Sequence, residues 1–149
     1  MKVSISLFVA MTIIAISAAG SALAGPAVTV TFKNVGNTDA IYRIGTSNEA
    51  STHNNATPKP VVLVKSGEAD TYVVQSNVSP DGNYANLRYT MGGKTCTFLA
   101  TFVAMPGPQG SKIPKWNNRA TAGGGATCTA RSTSMNATTH AWSVEFTMR

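Results

Sequence analysis

The sequence predicts an all-β protein, an antiparallel two-sheet β-sandwich of about eight strands with one disulfide. Apolar and polar residues alternate with a period of two in many segments, which is typical of strands with one buried face. No segment after residue 24 shows a convincing helical period. The chain also carries an even number of cysteines, Cys96 and Cys128, as expected for a single disulfide.

Residues 1–24 have the pattern of a secretory signal peptide. Lys2 precedes an apolar centre, and Ala-Leu-Ala at 22–24 places small residues where signal peptidase cleaves. A membrane anchor is the alternative, but the apolar run is short and no basic cluster follows it. We therefore predict an exported protein, periplasmic or extracellular, whose residues 25–149 form one sandwich domain.

The first segment after this leader is predicted to be a strand. In 28–33, Val28, Val30 and Phe32 share one face, so this strand is expected to enter the core of a sheet at once. Turn-forming residues follow it. Further strands are predicted at 40–44, 60–65 and 71–76.

Four more strands complete the prediction. Gly92 and Gly93 separate alternating runs over 84–91 and 94–103, a β-hairpin signal because such turns need positive φ. A polar strand is predicted at 126–134. The last strand is predicted at 139–148, where one face carries His140, Trp142, Val144, Phe146 and Met148.

The two cysteines are predicted to lie against the core. Cys96 shares a strand face with Phe98, and Cys128 shares one with Ala130. A bond between them would stabilise the fold by about 3–4 kcal/mol on the chain-entropy model. Two free thiols are the alternative. A metal site needs more ligands than two cysteines and two distant histidines offer, so no metal or other cofactor is expected.

Two segments lack the alternation and are predicted as loops. The polar segment 46–60 is expected to be mobile. The segment 104–125 begins with prolines and ends with the glycines 123–125. Its length exceeds that of most loops in compact domains, and long loops are often functional.

The centre of the long segment 104–125 is the candidate ligand-binding site. It carries Lys112, Lys115, Trp116 and Arg119. A tryptophan among cations suits a membrane interface, where the indole lies at headgroup depth and the cations meet anionic lipid. It also suits stacking on a sugar ring. Alternatively, Ile113 and Trp116 fill the end of the sandwich while the cations extend into water.

The charge balance is basic. The formal net charge is +6, of which Lys2 in the predicted leader contributes one. The excess either keeps the protein in solution or favours anionic partners such as acidic lipid or polysaccharide. Nucleic acid is not expected as a partner of an exported chain.

The usual signatures of catalysis are missing from the sequence. It contains no G-x-S-x-G, no H-E-x-x-H and no phosphate-binding glycine loop before a helix, so no catalytic residue is predicted. His53 lies in the polar segment and His140 opens the last predicted strand. A Ser/His/Asp site could still assemble in space, with an acid supplied by Asp39, Asp70 or Asp81.

Four stretches of the chain carry a family resemblance. They are VTVTFKNVGNTDAIYRI (28–44), LVKSGEADTYVVQS (63–76), NYANLRYTMGGKTCTFLATF (83–102) and HAWSVEFTM (140–148). Their order resembles that of the aegerolysins, small β-sandwich proteins that bind particular lipids and often act with a larger pore-forming partner. The resemblance implies a sandwich that binds a membrane. It assigns no lipid-contacting residue to a position here.

These observations predict an exported, non-catalytic binding protein that recognises a membrane lipid or another cell-envelope component through its loops. One alternative is a periplasmic inhibitor or immunity protein, whose partner would be an enzyme or toxin. The other alternative is a small secreted hydrolase with a spatially assembled site.

Overall fold

The structure, a computed structural model, describes residues 24–149, so the predicted leader lies outside the described residues except for Ala24. The described chain forms ten strands, one α-helix and a short 3-10 helix at Pro108–Gly110. The strands are β1 (Val28–Asn34), β2 (Ala40–Arg43), β3 (Ala56–Thr57), β4 (Leu63–Val64), β5 (Ala69–Val74), β6 (Gly82–Met91), β7 (Lys94–Pro106), β8 (Lys112–Gly123), β9 (Cys128–Met135) and β10 (Trp142–Met148), and the helix is α1 (Ser47–Asn55).

The strands form two five-stranded sheets that pack on each other, which confirms the predicted sandwich. The first sheet has the order β3-β5-β1-β10-β9, and the second has the order β4-β2-β6-β7-β8. Neighbouring strands are antiparallel except for β1 and β10, which run parallel with Val30 opposite Val144. The first and last strands therefore lie side by side in the middle of the first sheet.

The inward side chains of both sheets form one core, as the alternation predicts. Val28, Val30 and Phe32 of β1 are fully buried. The Phe32 ring stacks on Tyr89 of the second sheet, with ring centroids 3.5 Å apart. Phe98 of the second sheet stacks on Phe146 of the first, with centroids 4.7 Å apart. Each such side chain contributes about 1.5–3 kcal/mol through burial, so the core supports the whole sandwich.

The segment 46–60 was predicted as a loop, and this prediction is wrong, because it contains α1. Thr46 and Glu49 form a capping box: Thr46 Oγ1 accepts from Glu49 N (3.2 Å), and Glu49 Oε2 accepts from Thr46 N (3.0 Å). The residues that α1 buries are polar, Glu49 and Thr52, so no apolar period marks the helix. The spacing T-x-x-E was the available signal.

Helix α1 lies beside β6 of the second sheet, beyond the point where β2 ends. The last pair of β2 and β6 is Arg43 opposite Arg88, and beyond it Thr52 Oγ1 accepts from Asn86 N of β6 (2.9 Å). Glu49 Oε1 accepts from Arg88 Nε (2.9 Å). The helix leads directly into β3 of the first sheet and so covers one open side of the sandwich.

The segment 104–125 was also predicted as a loop, and this prediction is wrong as well. Strand β7 runs on to Pro106, and β8 pairs with it along its whole length. Their turn is tight, with Gly107 N donating to Ser111 O (2.8 Å). The inward residues of β8 are Pro114, Trp116, Asn118 and Ala120, a mixture too polar and too small to show the alternation.

Glycine closes the turn between β8 and β9. Gly124 has a φ of +62°, and a Cβ there would clash with Gly93 O. Only glycine fits such a left-handed position against neighbouring backbone. Gly124 and Gly125, predicted as part of a loop, thus form a defined turn.

Two predicted strands are shorter than expected. Of 60–65, only Leu63 and Val64 belong to a strand. The last strand begins at Trp142 instead of 139, because Asn136 Oδ1 accepts from Thr138 N and Thr139 N (both 2.9 Å) and holds a turn there.

The disulfide between Cys96 and Cys128 is confirmed. It joins β7 of the second sheet to β9 of the first, with Cα atoms 5.8 Å apart. Nearby, Asn118 spans the same gap, because its amide nitrogen donates to Ala130 O (3.1 Å) and its amide oxygen accepts from Ser132 N (3.1 Å) in the orientation that satisfies both. The side of the sandwich opposite α1 is therefore closed at the base of the β7–β8 hairpin.

The disulfide is compatible with export, since such bonds persist in oxidising compartments. Among residues 24–149, no helix has the length and apolar character needed to cross a membrane.

We predict that replacing both cysteines, Cys96→Ala and Cys128→Ala, lowers the free energy of unfolding by about 3–4 kcal/mol, because the unfolded chain gains the entropy that the cross-link removes. Urea denaturation of the wild type and the double variant measures this difference. Reduction of the wild type should reproduce the loss, and an unchanged midpoint in both experiments would contradict the prediction.

The Glu49 carboxyl makes stability depend on pH. Its burial acts to raise its pKa, but hydrogen bonds from Gly45 N and Arg88, the charge of Arg88 and a hydrogen bond from Thr46 N outweigh this. The pKa of Glu49 therefore lies below its ordinary value of 4.5. A carboxyl with a lowered folded-state pKa stabilises the fold above 4.5, and this contribution disappears as the pH falls through the folded-state pKa.

We expect Glu49→Gln to lower stability at pH 7 by about 2 kcal/mol. The difference from the wild type should shrink as the pH falls below 4.5. Thermal unfolding between pH 7 and pH 2 measures both effects. The control is Glu68→Gln, a change at an exposed acid. A gap between wild type and Glu49→Gln that stays constant with pH would rule out this role of Glu49.

Candidate functional site

The four residues of the predicted binding site all lie on β8, but the pleat of the strand separates them. Lys115 and Arg119 point outward from the sandwich. Trp116 points inward, packs on Phe102 with ring centroids 5.6 Å apart, and donates from Nε1 to His140 O (3.1 Å). Trp116 therefore fills the end of the sandwich, as the alternative interpretation expected for this residue. Ile113, which the same alternative placed there, is 51% exposed.

Lys112 at the start of β8 forms an ion pair with Asp81. Lys112 Nζ donates to both carboxylate oxygens of Asp81, at 2.5 and 2.6 Å, and both side chains are exposed. Exposed pairs contribute little to stability. The backbone adds a second link here, because Ala104 N donates to Asp81 O (2.8 Å). Lys112 thus helps attach the hairpin to the loop before β6 and is engaged within the chain.

Lys115 and Arg119 belong to the second sheet, whose strands carry positively charged side chains and no negatively charged ones. The strands of the second sheet contain no Asp or Glu, and their six Lys and Arg residues are Arg43, Arg88, Lys94, Lys112, Lys115 and Arg119. Acids from outside the sheet meet two of them, because Glu49 pairs with Arg88 and Asp81 pairs with Lys112. The outer face of the second sheet is therefore a basic surface.

The first sheet differs in charge. Its strands carry two acids, Asp70 and Glu145, and two cations, Lys33 and Arg131. Glu145 pairs with both cations, at 2.6 Å to Lys33 Nζ and 2.8 Å to Arg131 Nη2. The hydrogen bonds from Lys33 and Arg131 hold the pKa of Glu145 below its ordinary value. Asp70 is the cross-strand partner of Phe32 and so lies on the inward side of its strand. The outer face of the first sheet thus has its two cations paired with one acid, whereas the outer face of the second sheet is more strongly basic.

An exposed apolar cluster lies next to Lys115. Met105 and Ile113 are cross-strand partners near the tip of the β7–β8 hairpin, and Val103 is the partner of Lys115. These three apolar side chains are 45–51% exposed, and Val78, in the loop before β6, is 85% exposed. We call these four residues, Val78, Val103, Met105 and Ile113, the apolar end.

Met105 and Ile113 of the apolar end were not predicted, because the segment 104–125 was expected to be a loop. The alternation that places Cys96 and Phe98 in the core, continued along the strand, places Val103 and Met105 on the opposite face. Val78 carried no comparable signal, since it lies in an irregular segment.

The candidate catalytic side chains occupy separate places. His53 stacks on Tyr42, with ring centroids 5.8 Å apart. His140 lies over Phe102 at the other end of the core. Asp39 accepts from Ser66 N, Asp70 from Val61 N, and Asp81 from Lys112.

Burial and the charge of Glu49 raise the pKa of Tyr42 to about 12, so the phenol is neutral at pH 7. Within residues 24–149, no group of three or more His, Cys, Asp or Glu is arranged to hold a metal ion. The hydrolase alternative stays a prediction.

Comparison with known proteins assigns no family. No protein-family model matches this chain. No curated protein matches its sequence. The resemblance to the aegerolysins therefore stays a prediction.

We predict that Trp116→Ala lowers the free energy of unfolding by about 2–4 kcal/mol, because it leaves a cavity against Phe102. Arg119→Ala, on the opposite face of the same strand, should change it by less than about 0.5 kcal/mol. Urea denaturation of the two variants measures the contrast. An equal loss of unfolding free energy in the two variants would show that Trp116 does not pack against Phe102.

Proposed function

We propose that this protein is an exported, non-catalytic protein that binds anionic membrane lipid through the outer face of its second sheet. The observation that carries the proposal is the position of the apolar end directly beside Lys115, on a face whose strands contain no acid. Apolar side chains next to cations suit a membrane surface, where apolar groups enter the acyl boundary and cations meet anionic headgroups.

The spacing along β8 supports this arrangement. Ile113, Lys115 and Arg119 share the outer face, and outward positions two residues apart are separated by about 6.6 Å along a strand. An insertion of the apolar end by several ångströms would bring Lys115 to headgroup depth first and leave Arg119 further behind. Each cation near an anionic surface contributes about 1 kcal/mol to binding.

The paired charges on the outer face of the first sheet support a one-sided orientation. Its cations Lys33 and Arg131 are already paired with Glu145, so that face offers little net attraction to anionic lipid. Electrostatic steering would therefore turn the basic face toward the membrane. A lipid-binding role agrees with the predicted leader and with the resemblance to the aegerolysins.

The charge requirement is tested with vesicles of phosphatidylglycerol and phosphatidylcholine at low salt. We expect the wild type to co-sediment with vesicles rich in phosphatidylglycerol and to be released as salt rises. The double variant Lys115→Ala, Arg119→Ala should bind roughly 30-fold more weakly, from the loss of about 2 kcal/mol.

The matched control is Lys65→Ala, Arg149→Ala, which also removes one lysine and one arginine, both exposed and both outside the second sheet. It should bind nearly as well as the wild type. Equal weakening of the two double variants, or no binding of the wild type to anionic vesicles at low salt, would reject the proposal.

A further inference from the structure

A cavity of about 440 Å³ opens beside the apolar end. Its floor is the outer face of the second sheet, where β6 and β7 pair Gly82 with Val103 and Tyr84 with Thr101. Its other walls are formed by Val78 and the serines at 76 and 79, in the loop before β6, and by Ser51 of α1. The cavity therefore lies between the helix and the hairpin, on the face proposed to meet the membrane.

The chemistry of the walls suits an apolar ligand. The lining is mainly apolar and includes Val78, Val103 and Tyr84, and three serines are among the other lining residues. Ligand cavities typically have volumes of about 300–1,000 Å³, mainly apolar walls and a few polar groups that orient the ligand. No charged residue lines this cavity in the described chain, so it is suited to a hydrocarbon group rather than to a headgroup.

The buried Asn83 holds the cavity in shape. Its Nδ2 donates to Pro26 O (2.7 Å) and Val74 O (2.9 Å), and its Oδ1 accepts from Ser76 N (3.2 Å) and Tyr84 N (2.9 Å). Three of these hydrogen bonds join β6 to the segment before β1, to β5 and to the loop before β6, and the fourth lies within β6. A cavity that is already formed costs less conformational entropy when it binds a ligand.

Gly82 leaves the space on the cavity floor open. A Cβ at this position would have Phe102 O at 3.7 Å as its one neighbour within 4 Å. Its φ lies outside the left-handed region, so a side chain is compatible with the strand there. A larger residue at 82 would therefore occupy the cavity without straining the backbone.

We propose that this cavity accepts a single alkyl chain of an anionic lipid, with the headgroup directed toward Lys115. The inference rests on the proposed function and deepens it. Lys115 is the cross-strand partner of Val103, which lines the cavity, so a cation of the outer face lies beside its wall. One molecule could thus place its chain among apolar side chains and its negative charge near a lysine.

The test uses soluble monomers in place of vesicles. Wild-type protein is titrated with decanoate and, in a second arm, with dihexanoyl phosphatidylglycerol, each below its micelle concentration, and amide shifts are followed by NMR. We expect saturable shifts confined to Gly82, Tyr84, Thr101, Val103 and their neighbours. Tighter binding of decanoate identifies a free fatty acid as the source of the chain. Tighter binding of dihexanoyl phosphatidylglycerol identifies a phospholipid.

The variant Gly82→Leu should weaken monomer binding at least tenfold. The matched control is Gly93→Leu, which adds the same side chain in the β6–β7 turn, where nothing lies within 4 Å; it should bind like the wild type. Normal binding by a folded Gly82→Leu variant would overturn the inference.

The titrations of the wild type test the inference even if the Gly82→Leu variant does not fold. An absence of saturable shifts around the cavity in both arms would also overturn the inference. Vesicle binding that still depends on Lys115 and Arg119 would then leave the proposed function standing, so the two failures are distinguishable.

Discussion

The contact between Phe32 and Tyr89 joins the central strands of the two sheets, and the packing of the sandwich is built around it. The rings are nearly parallel, at an interplanar angle of 2°, and both are fully buried. Tyr89 also shares a hydrogen bond with Tyr72 across the core, at 3.1 Å between hydroxyl oxygens. Burial raises the pKa of both tyrosines, so the pair stays neutral. Because successive side chains of a strand point to opposite faces, the residues that flank these core positions face outward. The register of the core therefore determines which residues form the basic face.

The sequence predicted those parts of the fold in which apolar side chains meet the core at a regular period. Strand β1, the β6–β7 hairpin and β10 show the alternation clearly, and Cys96 and Cys128 were placed on core-facing sides. Helix α1 escaped detection because its buried positions are Glu49 and Thr52, whose fit depends on Arg88 and Asn86, more than thirty residues away. Tertiary partners of this kind leave no local pattern.

The candidate site, like helix α1, could be predicted from the sequence only in part. Residue type alone grouped Trp116 with Lys115 and Arg119. The pleat of β8 then turned the tryptophan into the core and the cations outward. Pairing with β7 also brought Met105 and Val103 next to these cations, an adjacency that depends on register and not on sequence distance. A binding surface on a sheet is therefore defined only when the strand partners are known.

The edges of the two sheets have a consequence for self-association. Exposed strand edges can pair with other copies of a chain and start aggregation, and proteins limit this with short edge strands and proline. Here β3 and β4 each contain two residues, and β8 carries Pro114, which has no amide hydrogen to offer an added strand. Cys128 and the backbone around Ser132 tie β9 to its neighbours in the second sheet. These features limit the backbone groups that the sheet edges offer for polymerisation when many copies gather on one surface.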